Sequence, residues 1–113
     1  MNQKEFEEYR KSQNFCHVYA AQVWHDDVYI VGDKKALQNI KRAIDKALNE
    51  EHGVCRLRPN DDETYLLHVV KVTNPKIEEK LCLPYRYDVA IGNTEGKIHP
   101  FQLIHNPELR GKL

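Results

Sequence analysis

Little in this chain of 113 residues points to a specialised environment. It holds three cysteines, Cys16, Cys55 and Cys82, an odd number without close spacing, which fits neither a disulfide framework nor a zinc centre. Such usage implies a reducing cytoplasm. No apolar run reaches the length of a signal peptide or a membrane span, and Met1 is followed at once by polar Asn2, Gln3, Lys4 and Glu5. Net charge is missing as well. Seventeen basic residues balance seventeen acidic ones, so no overall field draws the protein to nucleic acid or to anionic lipid. The five glycines are scattered, and none forms a phosphate-cradling loop. Repeats, linkers and low-complexity tracts are absent. These absences predict a cytoplasmic protein, a single domain over residues 1–113, with neither a membrane nor a nucleic acid as partner.

What is present is an α+β pattern. Asn2 with Glu5 three residues on is a capping box, opening a short charged helix that runs to about Lys11. Phe15–Trp24 is rich in aromatic and branched residues, and Asp26-Asp27 turns it back into Val28–Val31, which predicts a hairpin. Ala36, Leu37, Ile40, Ala43, Ile44, Ala47 and Leu48 then recur at helical spacing. They predict one long amphipathic helix over about residues 33–52, with Asp33 as N-cap and Gly53 as a left-handed stop. Val54–Arg58, the turn Pro59-Asn60-Asp61-Asp62 and Thr64–Val72 make a second antiparallel pair. Asn74-Pro75 starts a short helical connection through Leu81. Tyr85, Tyr87, Val89 and Ile91 alternate with polar residues as a strand does, Asn93 to Gly96 turn the chain, and Lys97–Ile104 is read as a last edge strand containing Pro100. Residues 105–113 read as a C-terminal tail, with a one-turn helix start at Asn106-Pro107. The expected fold is a five- to six-stranded antiparallel sheet with the long helix and the short N-terminal one.

Counting faces sharpens this. Pairing Arg58 with Thr64 puts Cys55, Leu57, Tyr65, Leu67 and Val69 on one face, and Arg56, Arg58, Leu66, His68, Val70 and Val72 on the other. Both faces carry apolar side chains, and one long helix covers only one of them. A second copy of the chain is the expected cover, as a homodimer or higher symmetric oligomer.

Catalytic and metal signatures stay at background. Gly32-Asp33-Lys34-Lys35 opens a helix where a phosphate could meet free N–H groups, yet the Asp33 carboxylate would repel it. His25, Asp26, Asp27, His99 and His105 lack the rigid spacing of a metal centre. Cys55 beside Arg56 is the one thiol whose neighbour favours a thiolate, although a buried inert thiol is the simpler reading. An acid–base pair of His68 with Asp88 would serve a small enzyme, but nothing in the spacing demands it. No cofactor, metal or enzymatic activity is expected. The constellation that stands out is arginine among aromatics: Arg56, Arg58 and Arg86 with Trp24, Tyr65, Tyr85 and Tyr87, plus Asn93 in a turn. Guanidinium forks match phosphate oxygens, aromatic faces stack on bases, and an asparagine reads a ring edge or a ribose hydroxyl. Arg110, in the tail, could close such a pocket.

In size, element order and residue kind, through Arg58, Leu83 to Tyr85, Asn93 and Arg110, the chain resembles the phage-encoded Thoeris anti-defence proteins. That resemblance implies a non-enzymatic, oligomeric protein of the bacterial host cytoplasm that sequesters cyclic ADP-ribose-type signals. Arg56, Arg58, Arg86 and Arg110 would hold phosphates, Tyr85 or Tyr87 would stack, and Asn93 would hydrogen-bond. A protein–protein inhibitor or immunity protein is the alternative, gripping a foreign partner with the second apolar face.

Overall fold

The computed structural model describes residues 2–5, 15–20, 25–82, 84 and 96–111, which divide into two compact units. The fold is α+β, with antiparallel strands. Among the described residues no helix is long and apolar enough to cross a membrane.

The first unit holds most of the regular structure. At its N-terminus the capping box forms: Glu5 N–H donates to Asn2 Oδ1 at 2.8 Å, and Asn2 N–H to Glu5 Oε2 at 3.3 Å. Strands β1 (Cys16–Tyr19) and β2 (Tyr29–Gly32) pair antiparallel, Cys16 opposite Gly32 and Tyr19 opposite Tyr29. Helix α1 (Lys34–Glu50) follows, then β3 (His52–Leu57) and β4 (Tyr65–Val70), which pair with each other. A parallel bridge from Phe15 to Arg58, with Cys16 N–H donating to Arg58 O at 3.0 Å, ties β1 to the end of β3.

Asp33 begins α1 as its sequence context predicts. Its Oδ1 accepts from Ala36 N–H at 2.8 Å and its Oδ2 from Phe15 N–H at 3.2 Å, so one carboxylate both caps the helix and fastens the start of β1. With both oxygens engaged, the helix N-terminus is an ordinary cap. The other end differs from expectation. The helix stops at Glu50, and Glu51, not Gly53, takes the left-handed conformation, at φ 77°. Gly53 instead lies buried in β3, where a Cβ would overlap the carbonyl oxygen of Ala43 and stand 2.7 Å from its carbonyl carbon. Glycine is there to let α1 lie directly on the strand.

That close approach also decides which helical stripe is buried. Ala36, Ile40, Ala43 and Ala47 face inward, whereas Leu37, Ile44 and Leu48, expected on the same stripe, remain exposed. Small side chains let the backbones meet, and the larger ones are left on the flank. The core beneath consists of Cys16, Ala36, Ile40 and Leu57, with Val18, Cys55, Tyr65 and Leu67 packed around it. Of the inward set read from β3 and β4, Cys55, Leu57, Tyr65 and Leu67 pack here, and Val69 is half-buried outside this cluster. On the outer face the His52 and His68 rings stack with Nε2 and Nδ1 2.9 Å apart, and Arg56 Nη1 donates to Thr64 Oγ1 at 3.1 Å. Both contacts cross from β3 to β4 on that face.

In the second unit, Asn74 caps α2 (Pro75–Lys80) by accepting from Lys76 N–H at 3.0 Å. A parallel bridge joins Leu81 to Ile98. The edge strand expected over 97–104 is not formed: Pro100–His105 is a helix, α3. His99 Nδ1 accepts from Phe101 N–H at 3.1 Å while Gln102 Oε1 accepts from His99 N–H at 2.8 Å. This reciprocal cap, with Pro100 pre-set for the first turn, outweighs the branched and aromatic residues that suggested a strand. A 3₁₀ turn, Pro107–Arg110, follows at the Asn106-Pro107 start. The described residues thus form two two-stranded sheets in place of the five- to six-stranded sheet expected. The expected strand at Tyr85 to Ile91 lies outside the described residues.

Candidate functional site

Of the seven predicted ligand-binding residues, Arg56, Arg58 and Arg110 are described; Tyr85, Arg86, Tyr87 and Asn93 lie outside the described residues, as do Trp24, Leu83 and Asp88. Arg56 and Arg58 belong to the first unit and Arg110 to the second.

Burial separates Arg56, in β3, from Arg58, which follows the strand. Arg56 is exposed and spans the hairpin to Thr64. Arg58, 8% exposed, turns into the loop that follows β3: its Nη1 donates to Asp62 Oδ1 at 2.8 Å and to Pro59 O at 3.2 Å. Its guanidinium carbon stands 5.6 Å from the centre of the Phe15 ring, a cation over an aromatic face. Asp62 reaches this position with φ 64°, so the turn is wound to bring a carboxylate back to the buried cation. A buried charge needs such a partner, and Arg58 has it within its own loop.

Beside this loop lies a depression of about 410 Å³. His17 and Tyr19 line it and continue an aromatic row that starts at Phe15, with successive ring centres 5.0 and 5.6 Å apart. His17 Nε2 accepts from Asn60 N–H at 3.0 Å, so in the neutral ring Nδ1 carries the hydrogen and donates to Tyr19 Oη at 2.8 Å. Tyr65 Oη, on the opposite wall, donates to Cys16 O at 2.9 Å. The result is a shallow, open depression, partly ring-lined, with its polar atoms already oriented. His17 was not among the expected ligand residues. Its signal was the alternation of Phe15, His17 and Tyr19, which puts three rings on one side of a strand.

The second unit holds the more demanding group. The 3₁₀ turn is fastened by Thr73, whose N–H and Oγ1 both donate to Arg110 O, at 3.1 and 3.2 Å. This anchoring buries the arginine itself, which is 6% exposed. Its Nε is enclosed without a hydrogen-bond acceptor, and no carboxylate among the described residues pairs with it. A buried guanidinium nitrogen without an acceptor costs free energy that a hydrogen-bond acceptor would recover.

Comparison with protein-family models, with curated proteins and with solved structures finds no match. The chemistry therefore rests on the side chains themselves.

Burial pushes Cys16 up from its ordinary value, against the opposing hydrogen bond from Tyr65, and burial raises Cys55 as well, despite Arg56 next to it. Both are held as neutral thiols. Tyr65 is raised for the same first reason, burial, reinforced by Cys16 beside it. His68 is turned toward His52, and among the described residues no three His, Cys, Asp or Glu side chains are grouped to hold a metal ion.

Proposed function

We propose that this protein is a non-enzymatic binder that captures a small, phosphate-bearing, nucleotide-derived signal, a protein of the phage-encoded Thoeris anti-defence type. The observation that carries this reading is Arg110: a buried guanidinium, held by its backbone to Thr73, whose Nε meets no acceptor among the described residues. A phosphate oxygen is the natural complement, because it offers charge and directional acceptors together. Arg86, with Tyr85 or Tyr87 as stacking ring and Asn93 as hydrogen-bonding amide, would complete the pocket. In the first unit Arg56 is an exposed cation of β3, and Arg58 is committed to Asp62.

The test is mass spectrometry of small molecules released by heat from protein purified out of cells that produce such signals. Release of a phosphorylated nucleotide in stoichiometric amount is expected. An unphosphorylated molecule, or nothing, would overturn the reading.

A second reading, a protein–protein inhibitor, is favoured by one observation. Tyr29, Ile30 and Val31 on β2 are each at least half exposed, an apolar strand surface of the kind that partners grip. Capture of a foreign protein by the wild type and its loss in Ile30→Asp would support it.

A further inference from the structure

We infer that α1 carries a self-association seam through which two copies of this chain pair antiparallel, about a two-fold axis between Lys41 and Ile44. The helix buries Ala36, Ile40, Ala43 and Ala47 against its own unit. Beside them runs a second apolar row, in which Leu37, Ile44 and Leu48 are 46%, 44% and 59% exposed. With Lys41 included, these positions advance by four, three and four residues, which is the step pattern of a coiled-coil seam. A surface helix normally turns this flank to water with charged residues; here it turns leucine and isoleucine.

The choice of occupant follows from where the charges fall. In an antiparallel pair centred between Lys41 and Ile44, Leu37 meets Leu48 of the second copy, and Lys41 lies over its Ile44. The lysine stem covers that apolar surface, and its ammonium reaches Asp45 of the second copy. Symmetry makes the same contact twice, so two Lys41–Asp45 pairs flank two Leu37–Leu48 contacts. Neither Lys41 nor Asp45 takes part in an ion pair among the described residues. Parallel pairing would instead stack Lys41 on Lys41 in the middle of the seam and align the helix dipoles head to head, both unfavourable. The outer face of β3 and β4 is a poorer candidate, because Val54 and Leu66 are bracketed there by the His52–His68 stack and the Arg56–Thr64 bond. Three turns of helix make a contact at the small end of specific interfaces, so the dimer is expected to be micromolar rather than nanomolar.

Sedimentation equilibrium of the full chain from low to high micromolar concentration tests this. The average mass of the wild type is expected to rise from one chain towards two, and Ile44→Glu to hold it at one. Lys41→Asp and Asp45→Lys are each expected to weaken the dimer about tenfold, since each replaces two attractive pairs with two repulsive ones, and the combined K41D/D45K chain to recover most of the loss. Urea midpoints check that each variant folds; should Ile44→Glu fail, Leu48→Gln reads the same seam from its most exposed position. A wild type that stays monomeric at every concentration, a dimer indifferent to both apolar substitutions, or a double swap no better than the single ones would each overturn the inference.

Discussion

Replacing Gly53 by alanine adds one methyl group, and the structure gives it nowhere to go. The new Cβ would overlap Ala43 O and stand 2.7 Å from Ala43 C and 2.9 Å from Ala43 Cα. These are backbone atoms of a helix, so no rotamer change relieves them. α1 must retreat from β3 by about 1 Å, which loosens the packing of Ile40 and Ala43 over Leu57 and forfeits dispersion contact along the whole seam. Overpacking of this kind costs ~1–3 kcal/mol and more when backbone is displaced. The restricted unfolded chain returns ~0.4–1 kcal/mol. A net loss of about 2–3 kcal/mol is therefore expected. In urea, with a slope of roughly 1.5 kcal/mol/M, the midpoint should fall by about 1.3–2 M. Ala43→Gly should not rescue the variant, because the overlapping atoms are common to every residue type at position 43. A Gly53→Ala protein with the wild-type midpoint would refute the seating of α1 on β3 and, with it, the division of the helix into a buried and an exposed apolar row.

Two further outcomes follow from the same unit. Glu51→Gly should stabilise the fold by about 1 kcal/mol, because it removes a side chain from the left-handed cap of α1 and frees a carboxylate oxygen that is enclosed without a partner; a lowered thermal midpoint would count against that account. Stability should be independent of pH below about 9 from these groups and decline above it. Cys16, Cys55 and Tyr65 are all raised from ordinary values of 9.0, 9.0 and 10.0, so the unfolded chain loses these protons first and is favoured as pH climbs towards the folded-state values. Urea midpoints between pH 7.5 and 10.5 check this, and Cys55→Ala should flatten part of the slope.

The local grammar of the chain was legible wherever one residue type performs one task. Asp33 as a cap, Asn2 with Glu5, Asn74 before Pro75, the turn after Arg58, and the inward set Cys55, Leu57, Tyr65 and Leu67 all follow from side-chain chemistry that acts over a few residues. What eluded the pattern depends on contacts across the fold. Apolar spacing marks seven positions of α1 as one broad face, but only the approach of Gly53 to Ala43 decides that the alanines go in and Leu37, Ile44 and Leu48 stay out. Residues 97–104 hide a helix because histidine is an uncommon cap and Gln102 completes the box only once the helix exists. At the candidate site, the arginines were visible as residue types and their fates were not. Arg56 and Arg58 sit two apart in the chain, yet one faces solvent and the other is folded against Phe15 by Asp62. Arg110 falls in a stretch that reads as a tail, and its burial comes from a backbone contact to Thr73, thirty-seven residues away in the chain.

The account stands most directly on whether Arg110 holds an anion. Titration calorimetry of the purified protein with cyclic ADP-ribose isomers and cyclic dinucleotides, in parallel with Arg110→Gln, measures it. Saturable heat with at least one of these nucleotides, weakened at least tenfold in Arg110→Gln while the fold is retained, is the predicted result. No heat with any of them, or equal affinity in the variant, would contradict it.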